Sequence, residues 1–202
     1  MAGILQNLRS TVIAGFVLAL LLWLMYYTYG DYDGMVFGKF FFRWLHVLSG
    51  VMWVGILYYF NFVQIPSMPK IPDEQKPAIG KVIAPAALWW FRWAAMSTIV
   101  TGLILGAMNA NLGYTLTLGL VEGADHGHRM IGIGMWLGII MWFNVWFVIW
   151  PNQQKALGLV EAADDVKAAA AKTAMLFSRT NTLLSFPMLF CMVAAQNLYN
   201  IS

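Results

Sequence analysis

His46-Val-Leu-Ser-Gly50-Val-Met52-Trp53-Val-Gly55-Ile-Leu-Tyr-Tyr-Phe60-Asn61 holds no acidic or permanently charged side chain. Phe40-Phe41-Phe42 precedes it and Phe62-Val63 follows, so the apolar run extends from Phe40 to Ile65 with Arg43 as its one fixed charge. A bilayer core needs about 20 such residues. Lipid offers the backbone no hydrogen-bond partner, so the run must be a helix. The same wording returns later as His128-Arg-Met-Ile-Gly132-Ile-Gly-Met135-Trp136-Leu-Gly138-Ile-Ile-Met-Trp-Phe143-Asn144. With a one-residue gap, the frame His-x3-Gly, Met-Trp-x-Gly-Ile, Phe-Asn and a closing proline (Pro66, Pro151) recurs. Shared His, Asn and Pro are harder to obtain by chance than shared Leu, and the frame reads as a duplication.

Working outward, five apolar segments are long enough to cross: 11–29, 40–65, 84–108, 130–150 and 174–198. The expected fold is an all-α integral membrane protein with five transmembrane helices, one lone helix plus two repeated helical hairpins forming a four-helix bundle. It divides as 1–39 for the first helix and loop, 40–112 for the first hairpin and 113–202 for the second. The first apolar stretch ends in Met25-Tyr26-Tyr27-Thr28-Tyr29, an aromatic belt rather than a cleavage site. It reads as a retained helix. The Pro-rich stretch 66–82 is expected to be a loop, whereas the polar stretch 151–173 has no glycine after Gly158 and is expected to run as helix into the fifth span.

Composition agrees. Of 202 residues 60% are hydrophobic and 10% charged, against about 25% charged in soluble domains. That excludes a soluble enzyme, an all-β receptor, a disordered regulator and a nucleic-acid binder. The single cysteine, Cys191, lies in an apolar run, which excludes a disulfide framework, a C-x-x-C-H haem attachment and a cysteine-rich metal site. No phosphate-binding loop, dinucleotide fingerprint or nucleophile elbow is present.

The basic residues set an orientation. Arg9, Lys70, Lys76, Lys81, Arg92, Lys155, Lys167, Lys172 and Arg179 fall on the side of the N-terminus; Lys39, Arg43 and Arg129 fall opposite. The positive-inside rule then predicts a multi-pass inner-membrane protein with a cytoplasmic N-terminus and a periplasmic C-terminus. Both repeated spans run the same way, so the hairpins are parallel copies about an axis along the membrane normal.

All three histidines, His46, His126 and His128, fall on the external side. An ionisable residue within a span marks a functional site. Gly50 stands one turn below His46, and Gly132 one turn below His128. Two opposed imidazoles, each with an empty step beneath, make a slot for a flat macrocycle, and haem iron takes imidazole ligands. The expected cofactor is one haem b on His46 and His128, with His126 the alternative ligand and Arg43 and Arg129 pairing with its propionates. A bare copper or zinc ion on His126 and His128 beside Glu122 and Asp125 is the rival metal reading. Arg92, flanked by Trp89, Trp90 and Trp93, is expected to snorkel at the interface. Asn61 and Asn144 are expected to tie helices together.

The stretch Phe42-Arg43-Trp44-Leu45-His46 through Gly55, then Tyr59 through Pro66, resembles the N-terminal membrane region of bacterial membrane-bound urate oxidase (urate hydroxylase) proteins. Trp136-Leu137-Gly138, Trp150 through Lys155, and Ser178-Arg179-Thr180-Asn181-Thr182 add to the likeness, which covers most of the chain from Phe40 onward. The chain reads as a short form, with fewer spans and without the cytochrome c domain. A weaker likeness, of the His-led helix alone, is to membrane-bound protoporphyrinogen oxidase and copper-resistance membrane families. The main resemblance implies a membrane module passing electrons to a cytochrome c on the external side. The expected function is therefore haem b electron transfer towards such an acceptor. The alternatives are oxidation of urate or another purine, and a non-catalytic subunit of a larger respiratory or oxidase complex. Membrane lipid is the surrounding partner.

Overall fold

The computed structural model describes residues 2–30 and 33–199, and these form helices with no strand among them. Contacts divide the chain into two units, 1–41 and 42–202.

The first unit holds the short α1 (Ala2–Leu5), the long α2 (Leu8–Tyr29) and the start of α3 (Gly34–Tyr58). Asn7 caps α2 by accepting from the Ser10 amide at 3.3 Å. Phe37 packs against Trp23 and Tyr27, with ring centroids 4.7 and 5.6 Å apart.

In the second unit α3 runs into a π-helical segment, Tyr59–Gln64, then α4 (Ile65–Ser67) and a 3-10 turn at Met68–Lys70. The next helix enters through α5 (Lys76–Ala78) and a π segment at Ile79–Ile83, and continues as α6 (Ala84–Met108). A short α7 (Leu112–Leu116) leads to α8 (His126–Phe143), a third π segment (Asn144–Ile149) and α9 (Trp150–Ala156). The chain ends in α10 (Asp164–Asn197), 34 residues long.

Each π segment ends two residues before a proline: Pro66, Pro85 and Pro151. Proline lacks an N–H and its ring collides with the carbonyl four residues back. Widening the turn is one way for a helix to pass it. The amides of Ile65, Ala84 and Trp150 accordingly bond five residues back, to Phe60, Ile79 and Val145. The Phe-Asn-to-Pro part of the repeated sequence frame thus takes the same unusual backbone twice.

Among the described residues four helices are long and apolar enough to cross a membrane: Leu8–Tyr29, Gly34–Lys70, Lys76–Met108 and His126–Ala156. The expected fifth span, 174–198, lies almost wholly in α10 and is equally helical, but Ser178, Asn181 and Ser185 dilute its apolar character. Those three are buried, turned into the bundle rather than to its outside. The core joins Trp53 and Leu57 of α3, Phe91 and Ala95 of α6, and Met141, Val145 and Ile149 of the fourth long helix. Two expected connections are corrected. The stretch 66–82 is largely helical rather than loop. The stretch 151–173 is broken at 157–163, where Gly158 adopts φ +70°, and helix resumes only at Asp164.

Candidate functional site

His46 sits in α3, turned onto α6. Its Nδ1 lies 2.9 Å from the Thr98 carbonyl and 3.3 Å from Thr101 Oγ1. A carbonyl only accepts, so Nδ1 carries the proton and donates, and Nε2 keeps its lone pair. That nitrogen has no hydrogen-bond partner among the described residues. Gly102 makes the approach possible, since a Cβ there would stand 2.9 Å from the His46 Cε1 atom. Thr98 and Thr101 are buried, and each turns its hydroxyl back to its own helix, onto the Ala94 and Ser97 carbonyls. Below them Ser49 and Ser97 join the same two helices through hydroxyls 2.8 Å apart.

His128 is placed differently. It is the third residue of α8 and forms a capping box with Asp125. The Asp125 carboxylate accepts from the His128 amide at 2.8 Å, and the Asp125 amide donates to His128 Nδ1 at 3.2 Å. Nδ1 also lies 2.7 Å from the Asp125 carboxylate, which only accepts, and Nε2 lies 3.3 Å from Asn111 Oδ1. Both ring nitrogens are therefore engaged, and Tyr114 lies beside the ring at 5.0 Å. The Asp125 carboxyl is held below its ordinary range, first by the backbone N–H of His128.

The two glycines also part company. A Cβ on Gly50 would meet nothing within 4 Å, so the step below His46 is open. The step below His128 is filled, because α7 packs its backbone against Gly132 and a Cβ there would strike the Thr115 carbonyl. The sequence frame carries both glycines; which neighbour fills the gap depends on the connection 109–125, which the two copies do not share. Arg43, one turn before His46, has a buried Nε without a partner among the described residues. Arg129 and His126 are exposed. Among the described residues no cluster of three His, Cys, Asp or Glu side chains could hold a bare metal ion.

Towards the other end of the bundle, a polar ladder on α10 ties the repeated helices together. Asn61 donates to Ser178 Oγ at 2.8 Å, and Asn144 donates to Asn181 Oδ1 at 2.8 Å. Asn181 in turn donates to the Met141 carbonyl at 2.9 Å, and Tyr58 and Ser185 share a bond of 2.9 Å. Arg92 is not left to its neighbouring tryptophans: its guanidinium lies 3.7 Å from the Trp150 ring centre and 5.2 Å from that of Trp146.

The residues needed for haem fit on one side only. His46 presents the nitrogen that an iron ligand requires, in the tautomer fixed by a backbone carbonyl. Arg43 offers an unpaired donor and Gly50 offers space. His128 would have to abandon a helix cap. Thr98, Thr101 and Gly102 escaped the sequence reading, although a Thr-x2-Thr-Gly run inside an apolar span was a signal for a polar contact.

Compared with known proteins, residues 124–201 match the family model of the urate oxidase N-terminal region. The similarity covers the last two long helices. No curated protein and no solved structure matches it.

Proposed function

We propose that this chain, urate oxidase-related through its last two long helices, is a membrane electron-transfer module carrying one haem b on His46. The observation that carries this reading is the Nδ1-to-Thr98 bond, which leaves a lone pair on a histidine inside an apolar helix. Bound haem would supply one-electron transfer between a donor and an external acceptor such as a cytochrome c. The protein's share is to hold the imidazole in one tautomer, to keep room beside it at Gly50 and to offer Arg43 to a carboxylate. His128 serves as a helix cap in this account, so His46 would hold the haem, with His126 the other histidine that could contribute. The N-terminus faces the cytoplasm, by the nine-to-three distribution of basic residues, and α10 supplies a fifth crossing. The test is the haem content of the purified chain after expression with ample haem. One haem per chain is expected, and a chain that never binds it would end this reading.

The match to the urate oxidase N-terminal model favours a second reading, oxidation of urate or another purine. Membranes containing the chain should then consume urate only when an electron acceptor is present.

A further inference from the structure

A cleft of about 170 Å³ opens between the stretch around Pro66 and the stretch around Pro151. Its walls come from the π segment and α4 after α3, the start of α6, α9 and the first half of α10. Most of the lining is apolar, including Phe60, Leu157 and Met175, and no charged side chain lines it. Three polar groups interrupt that lining: Gln64, Gln153 and Ser178. The side-chain oxygens of both glutamines are buried without a hydrogen-bond partner among the described residues. The neighbouring Asn61 has the same condition at Oδ1. The Ser178 hydroxyl accepts from Asn61, which leaves its own proton available to donate.

Unpaired buried carbonyls are costly, and a fold does not gather them in one cleft without use. A cleft of this size takes one small ring and lies below the roughly 300–1,000 Å³ of drug-sized sites. The absence of charge excludes a carboxylate, phosphate or ammonium ligand, which would lie there unpaired. Apolar walls select a lipid-soluble ring, and the acceptor oxygens select a ring bearing hydroxyl donors. We infer that the cleft binds a quinol, a neutral aromatic ring with two phenolic hydroxyls, with Gln64 and Gln153 accepting from it and Ser178 donating. This site lies apart from His46 and does not rest on haem binding.

The preference of the unaltered chain for one redox form provides the test. A short-chain ubiquinol analogue, kept reduced, and its oxidised quinone are titrated by calorimetry into the purified full chain in detergent. The quinone has lost both donors, so the quinol should bind about tenfold more tightly for each hydrogen bond made to a glutamine oxygen. Gln64→Met and Gln153→Met keep the side-chain volume and remove the carbonyl. Each should weaken quinol binding by about tenfold and leave quinone binding unchanged. Equal affinity for the two forms, unchanged binding in both variants, or no saturable binding of either form would overturn the proposal. The last result would mean that the cleft holds water only. Haem content does not enter this measurement, so it fails or succeeds separately from the haem reading.

Discussion

His46 donates from Nδ1 to the carbonyl of Thr98 across 2.9 Å, joining α3 to α6 and leaving the far side of the ring unprotonated. The contact depends on Gly102, and it distinguishes His46 from His128, whose two ring nitrogens are both taken.

Gly102→Ala should therefore displace the imidazole. Its new methyl would stand 2.9 Å from Cε1, and overpacking of this kind costs about 1–3 kcal/mol. Chemical unfolding in detergent should show that loss, together with reduced haem retention. Unaltered stability and haem content would mean that the ring moves aside freely.

Gly132→Ala and Gly138→Ala form a matched pair. A methyl at 132 would run into the Thr115 carbonyl, whereas one at 138 would meet nothing within 4 Å. We expect Gly132→Ala to destabilise by about 1–3 kcal/mol or more, and Gly138→Ala to be neutral or to stabilise by up to about 1 kcal/mol. Similar melting temperatures for the two variants would contradict the packing of α7 on α8.

Asn144→Ala removes the donor to Asn181 and leaves a buried carbonyl oxygen without it. The expected cost is about 1–3 kcal/mol. A double-mutant cycle with Asn181→Ala should show coupling, since the two side chains bond directly; membrane hydrogen bonds of this kind average about 0.6 kcal/mol. Strict additivity would show that the bond contributes nothing.

Asp125 supplies a pH dependence. Its folded carboxyl titrates below the ordinary carboxylate value of about 3.9. Its contribution is thus complete above that unfolded value and is lost as pH falls through the lower folded one. Asp125→Ala should cost about 1 kcal/mol at neutral pH, the worth of an N-cap. Asp125→Asn should preserve neutral stability and flatten the acid limb of the unfolding midpoint against pH. An acid limb unchanged in the Asn variant would refute this assignment.

The membrane class and the helical architecture were legible in apolar run length alone, because a span must be long, uncharged and helical. Asn61 and Asn144 were legible as helix ties, because an amide inside lipid has few other uses. All three π segments were marked by a following proline, and two of them by a repeated Phe-Asn, yet their widened turns depend on backbone accommodation that no pattern of side chains declares. The break at 157–163 was hidden by an alanine- and lysine-rich composition that suits a helix. The partners of His46 and the contents of the space at Gly132 are set by which helix lies alongside. Arg92 belongs with these, since Trp146 and Trp150 reach it from another helix.

The most direct measurement compares reduced-minus-oxidised optical spectra of the purified chain, His46→Ala and His128→Ala. The account predicts b-type bands in the unaltered chain, their loss in His46→Ala and their persistence in His128→Ala, whose stability alone should fall. Bands that survive in His46→Ala, or vanish in a well-folded His128→Ala, would contradict it.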